Sequence, residues 1–315
     1  MTQLSFREGT AADLPATFAL SERAMHDSAA RHGAIPGDPP LTDARIRSDW
    51  LRQRPLIEFI AAQPNGRYVI CETDGELLGY ARLVRFDGME ELTELMVSPD
   101  QQGLGIGRAL LERCWPGDPT RELGRIVVAA GAPSDLTLYT EFGVMPIGGH
   151  WHMRAPADDY RYRRSKETDA PLPEVHVLKS DRAVREWAKL EPEAIGHDRR
   201  TLHEFFARDR TCLAYLSPAS QEPAALCWVS SGAEIGPAIG RTAGDLVPVV
   251  LAALDRVGAA RDRETLSVYA TTLSWWLLRR LRQLGFHVFW PSWVMCSVPL
   301  PGLDRYAPTR PPHVL

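Results

Sequence analysis

Lysine is scarce in this chain: Lys166, Lys179 and Lys189 are its only lysines, so arginine carries nearly all the positive charge. Acids outnumber bases, 40 to 36, for a formal net charge of -4 and a pI near 6.2. That balance lacks the basic footprint of a nucleic-acid-binding surface, and no nucleic-acid partner is expected. No apolar run approaches the ~20 residues that span a bilayer. The opening MTQLSFREGT has no basic segment followed by an apolar one. A soluble, cytoplasmic protein without a membrane partner is therefore expected. The five cysteines, Cys71, Cys114, Cys212, Cys227 and Cys296, are scattered and lack C-x-x-C spacing. That pattern argues against a disulfide framework or a structural zinc site, and no metal is expected.

What is present is an ordinary globular composition, 44% hydrophobic and 24% charged, over 315 residues. That length suggests about two domains, each large enough for its own core. The pattern reads as one order of elements written twice. A strand over 4–8 leads to Thr10, a helix N-cap with Asp13 in the first turn. A helix runs towards His26, a Gly/Pro loop occupies 33–40, and a second helix spans 41–62. Strands 67–72 and 76–84 flank Asp74-Gly75, a hairpin signal. A strand over 91–97, a helix over 107–115, a strand over 125–129, a helix over 135–142 and strand material over 144–153 complete the half. Residues 156–173, charged and flanked by proline, read as a linker. The order then repeats: strand 175–178, helices 181–195 and 199–208, strands 212–216, 224–230 and 233–239, helix 245–257, strand 266–269, helix 273–284, strand 286–298. Residues 301–315 read as an extended tail. The fold class is thus α/β with mixed sheets covered by helices. The domains are expected at 1–155 and 174–300. Trp275, Trp276, Trp290 and Trp293 are expected to pack in the core or between domains.

The informative stretch joins the strand ending at Val97 to the following helix: Gln102-Gly-Leu-Gly-Ile-Gly-Arg108. Glycines at 103, 105 and 107 remove Cβ atoms and let the backbone approach a ligand closely. Amides at a helix N-terminus carry partial positive charge, which suits a pyrophosphate. The Gly-Lys-Ser/Thr of a Walker loop is absent. The spacing also differs from the G-x-G-x-x-G of a dinucleotide site, and the strand follows a hairpin. The loop resembles the Q/R-x-x-G-x-G/A motif of the GNAT superfamily of N-acetyltransferases. Leu95-Met-Val97 with Ser98-Pro99 resembles that family's fourth strand. Leu138-Tyr139-Thr-Glu-Phe142-Gly143 resembles its later helix end, with Val144 where phenylalanine is usual. The likeness covers residues 4–155 and, more weakly, 174–300, so two tandem GNAT-like domains are expected, each with a mixed, mostly antiparallel sheet flanked by helices.

The resemblance implies acetyl-CoA, or another acyl-CoA, as co-substrate and direct attack by a primary amine on the thioester. It implies that the amides of Gln102, Gly103, Leu104, Gly105, Ile106, Gly107 and Arg108 take the pyrophosphate. Leu95, Met96 and Val97 would meet the pantetheine arm and the acyl carbonyl. Tyr139 is expected to protonate the departing thiolate. Glu91 is the first candidate for the base, on one face with Thr93, Leu95 and Val97; Glu94, on the other face, is the reserve. Glu90 is expected on the turn surface. Where many relatives have an asparagine contacting CoA, this chain has Ala132, followed by Pro133. The second half lacks the glycine loop and places Leu281 opposite Tyr139, so a non-catalytic domain is expected there. The expected partner is a small-molecule amine, and the protein a monomer or homodimer. The alternative reading is a non-catalytic acyl-CoA-binding or sensory module.

Overall fold

The structure, a computed structural model, describes residues 4–31, 40–130, 132–167, 174–217 and 219–310. Residues 33–39 of the expected 33–40 loop, 168–173 of the expected linker and the last five residues lie outside it. The chain divides into two compact units. One comprises the residues up to Val127 together with Thr137–Val144; the other comprises Val128–Leu136 and everything from Met145 on.

The first unit opens with β1 (Ser5–Glu8), then a 3-10 turn capped by Thr10, and α1 (Leu14–Arg31). Thr10 is the N-cap read from the sequence, and its amide donates to the Asp13 carboxylate at 2.8 Å. Thr42 caps α2 (Asp43–Ala61), its side chain accepting from the Arg45 amide. Strands β2 (Arg67–Thr73), β3 (Glu76–Phe86) and β4 (Met89–Val97) follow, then α3 (Ile106–Cys114), β5 (Gly124–Ala129) and α4 (Pro133–Glu141). The sheet order is β1-β2-β3-β4-β5, antiparallel except for the parallel β4–β5 pair. One face packs on α1 and α2: Leu14, Phe18, Ile46 and Ile57 bury against Tyr68, Ile70 and Tyr80. The other face takes α3. There a Cβ on Gly79 would meet Ile106 and Leu110, each at 3.4 Å.

The second unit carries β6 (Met145–Pro156), α5 (Ala157–Ser165), β7 (Val175–Leu178), α6 (Ser180–Ile195), α7 (Arg200–Phe206), β8 (Arg210–Leu216), β9 (Pro223–Ser230) and β10 (Ile235–Gly240). It continues with α8 (Ala243–Gly258), β11 (Thr265–Thr271), α9 (Trp275–Gln283), β12 (His287–Cys296) and the short β13 (Tyr306–Ala307). From β7 to β12 the order of strands and helices repeats that of β1 to β6. Its strands pair antiparallel in the orders β13-β10-β9-β8-β7 and β12-β6-β11. Helix α8, apolar on most sides, anchors a core with Met153, Val268, Leu277, Leu281 and Phe286.

Three expectations change. The first half of the expected linker is helix α5. Tyr160, buried and donating to Asp255 at 2.7 Å, ties it to α8, and Arg164 reaches the same carboxylate at 3.0 Å. The expected tail is not free either, because Tyr306 and Ala307 pair with β10 and are buried. Trp275 and Trp276, expected in packing, are 77% and 65% exposed at the start of α9. On β6, burial holds His150 down at about 4 and His152 at about 3, so both stay neutral near pH 7. The His152 ring stacks on Tyr269 of β11 at 4.4 Å.

Candidate active site

The β4–β5 ladder runs only from Met89 to Leu92 on β4. Beyond it, β4 stays paired with β3 up to Val97. The β5-side edge of Thr93–Val97 therefore has no ladder partner among the described residues, and Leu95, Met96 and Val97 are half-buried. Backbone groups at such an edge are open to a further extended chain.

A register slip in β4 begins where that pairing ends. Arg82 faces Glu94 across the β3–β4 ladder, while the next residue, Leu83, faces Leu92. Thr93 is the extra residue, a β-bulge, and its hydroxyl donates to the Arg82 carbonyl at 3.0 Å. Side chains opposite one another in a ladder share a face. Glu91, opposite Val84, and Glu94, opposite Arg82, thus lie on the same face, towards α1. Strict alternation put them on opposite faces; the bulge corrects this.

Glu94 is held in a buried network. Arg82 Nη1 pairs with its Oε2 at 2.6 Å, and the Tyr80 hydroxyl donates to its Oε1 at 2.7 Å. Arg82 also reaches the Thr17 hydroxyl at 3.4 Å and lies over the Tyr68 ring at 4.7 Å. Burial, reinforced by the adjacent carboxylate, holds the Tyr80 phenol well above its usual range, so it remains a donor. Glu91 is also buried. Glu90, expected on the turn surface, is buried between Arg67 at 3.8 Å and Arg125 at 3.9 Å. Burial raises its pKa against the pull of those two cations.

After β4, a 3-10 turn over Pro99–Gln101 leads to the glycine loop. Gly103 has φ +80° and Gly105, the N-cap of α3, φ +82°; both are left-handed, and a Cβ on either would meet nothing within 4 Å. The glycines are needed for conformation, and the loop faces open space. Among the described residues no backbone hydrogen bond outside regular elements is donated by the amides from Gln102 to Arg108. The first donor in use is Ala109, bonded to the Gly105 carbonyl at 3.0 Å. No acid stands in the first turn of α3. A row of unused amides at an acid-free helix N-terminus has the electrostatics that suit an anion.

Three contacts fix the loop that sequence reading did not find. Gln102 bridges its surroundings, Nε2 donating to the Val97 carbonyl at 3.2 Å and Oε1 accepting from Arg31 of α1 at 2.8 Å. Arg108, half-exposed, pairs with Glu141 of α4. Leu104 is 68% exposed at the rim. Leu138 of α4 lies 3.6 Å from the Cβ position of Gly107, which brings α4 against the first turn of α3. Tyr139, next along α4, is buried. At Ala132, the carbonyl accepts from Asp135 and Leu136 at 3.0 and 3.1 Å and starts α4. The structure thus gathers Leu95, Met96, Val97 and the loop at one end of β4 and commits Glu94 elsewhere.

Comparison with known proteins agrees with this geometry. Residues 64–143 match the acetyltransferase (GNAT) domain family. The L-amino acid N-acyltransferase MnaT of Escherichia coli (strain K12) is 30% identical over 115 residues, 35% of this chain and 62% of that protein. A Pyrococcus horikoshii protein assigned as an acetyltransferase shares the fold at a TM-score of 0.68 and 15% identity, covering 100% of this chain and 97% of that one. A tandem GNAT protein from the clavulanic acid biosynthesis pathway does so at 0.57 and 15%, covering 94% and 99%. The β4 edge past Leu92 and the glycine loop both lie within the stretch that matches the GNAT domain family, and the chain has the fold of solved acetyltransferase structures, a tandem GNAT protein among them.

Proposed function

We propose that the protein is an N-acyltransferase that moves an acetyl or short acyl group from acyl-CoA to the primary amine of a small molecule, using its N-terminal GNAT domain. The observation that carries this reading is the set of uncommitted amides from Gln102 to Arg108 beside the unpaired edge of β4. Those amides would bind the CoA pyrophosphate. The β4 edge at Leu95, Met96 and Val97 would receive the pantetheine arm and hold the thioester carbonyl as charge develops on its oxygen.

The amine must attack as the neutral base, since an ammonium has no lone pair. Glu91 serves as its proton acceptor, directly or through water. The buried ion pair of Glu94 with Arg82 favours Glu91 over Glu94 for that role. As the C–N bond forms and the C–S bond breaks, Tyr139 gives its proton to the thiolate. The products are an amide and free CoA.

An amino acid is the first acceptor to try, because the E. coli relative is named for that substrate class. Thiol release from acetyl-CoA is followed with a panel of L-amino acids, amino sugars and polyamines. Amine-dependent turnover is the expected result. Saturable CoA binding with no turnover across the panel replaces the enzyme by an acyl-CoA sensor.

A further inference from the structure

The corresponding cleft of the second unit is closed by the chain's own C-terminus. By element order β10 takes the place of β4, β11 that of β5 and α8 that of α3. In the first unit the β4–β5 ladder stops at Leu92, and among the described residues no other strand pairs with that edge of β4 beyond it. In the second, β13 is paired to β10, Ala307 opposite Ala238 and Tyr306 opposite Ile239, and it also lies against β11. The segment is held from both sides. Thr271, at the end of β11, donates to the Leu303 carbonyl. Ser274 reaches the carbonyls of Leu303 at 3.0 Å and Tyr306 at 3.1 Å. A Cβ on Gly236 would come within 2.7 Å of the Pro308 carbonyl oxygen, so only glycine lets the segment lie this close.

Its anchor is a buried charge cluster. Arg199 pairs with Glu191 at 2.6 Å and donates to the Tyr306 hydroxyl, which itself lies 3.4 Å from the same carboxylate. His203 completes the cluster. Trp228 donates to its Nδ1 at 3.1 Å, so Nε2 carries the proton and donates to Glu191 at 2.8 Å.

The helix end is closed as well. Thr242 accepts from the Asp245 amide at 3.2 Å, and Asp245 accepts from the Thr242 amide at 3.1 Å. That capping box takes up the Thr242 and Asp245 amides and sets a carboxylate where α3 has none. Arg305 donates to the Arg241 carbonyl at 2.8 Å, laying the C-terminal segment over the approach to α8.

We propose that residues 303–309 are a permanent intramolecular occupant of the second cleft, filling the place of the pantetheine arm, so that the chain binds a single equivalent of acyl-CoA. This rests on the reading of the first cleft given above. The filled cleft completes the second unit's sheet and leaves that unit as a scaffold.

The test is hydrogen exchange on the full chain with and without CoA, joined to equilibrium dialysis. Peptides covering 235–240 and 303–309 are expected to exchange slowly and equally in both states, while 102–109 slows when CoA is added. Fast exchange of 303–309, or its release by CoA, overturns the permanent occupant. Dialysis on the wild type and on Gly105→Glu is expected to give one equivalent and none. A second equivalent in the wild type, with 102–109 protected, overturns this inference alone. No protection at 102–109 overturns the first-cleft reading and leaves the exchange result at 303–309 to stand on its own.

Discussion

Replacing Glu94 by glutamine separates the two carboxylates that strand alternation leaves in competition. The side chains of Arg82 and Glu94 are each 1% exposed and pair at 2.6 Å. Removing one member of a buried pair leaves an uncompensated charge and costs about 3–5 kcal/mol. At roughly 2–4 °C per kcal/mol, the melting temperature falls by roughly 10 °C. The Thr93 bulge depends on the same strand pair, so the loss is expected in stability and in the Michaelis constant for acyl-CoA. The pH–rate profile, measured well below the melt, is expected to keep its acid limb, because the proposed base is Glu91. Replacing both partners, Arg82→Met with Glu94→Leu, recovers more than half of the lost stability, since a well-packed apolar pair often substitutes without cost. Urea denaturation of the wild type and these two variants, with their pH–rate profiles, provides the assay. A Glu94→Gln variant as stable as the wild type but lacking the acid limb would refute the reasoning and make Glu94 the base.

Further outcomes follow from the same geometry. Glu91→Gln is expected to lower turnover by about 10²-fold or more and to remove the acid limb of the pH–rate profile. An unchanged profile would assign the proton to bulk water. Tyr139→Phe is expected to lower turnover while leaving CoA affinity within about two-fold; an unaltered rate with thiol release as readout excludes the tyrosine as acid. His150 is fully buried and its pKa falls from 6.5 to about 4, so the unfolded chain binds the extra proton first. Its contribution, about 3 kcal/mol at about 1.4 kcal/mol per unit, is complete above pH 6.5 and is lost as pH falls towards 4. Urea unfolding of the wild type between those pH values is expected to show that slope. His150→Gln lowers that slope without abolishing it, because His152, held at about 3, adds to it over the same range; a variant with the full slope contradicts the assignment.

Much of this was legible because local chemistry and tertiary structure agree. Thr10 announces a helix that starts where it should, and Asp74-Gly75 sits at its hairpin. The glycine loop was legible for the same reason: left-handed φ at 103 and 105 admits few other residues. What failed was whatever depends on a partner distant in sequence. Glu91-Leu-Thr-Glu-Leu95 alternates well enough to hide a bulge, and only the ladder with β3 reveals that Thr93 is the extra residue. Glu90 looked like a turn because nothing nearby announces Arg67 and Arg125. The 156–173 stretch carries charges that suit a linker. Its first part is helical because Tyr160 and Arg164 find Asp255 on α8. In the C-terminal segment, Tyr306 was the missed signal, an aromatic among prolines whose hydroxyl meets Arg199 and Glu191 far earlier in the chain.

The central claim is that the amides between Gln102 and Arg108 bind the pyrophosphate of acyl-CoA. A crystal structure of the full chain with acetyl-CoA measures it directly, through the distances from those nitrogens to the phosphate oxygens. The account predicts several within about 2.7–3.2 Å, with the pantetheine arm along Leu95–Val97. Phosphates seated elsewhere, with those amides facing only water, would contradict it.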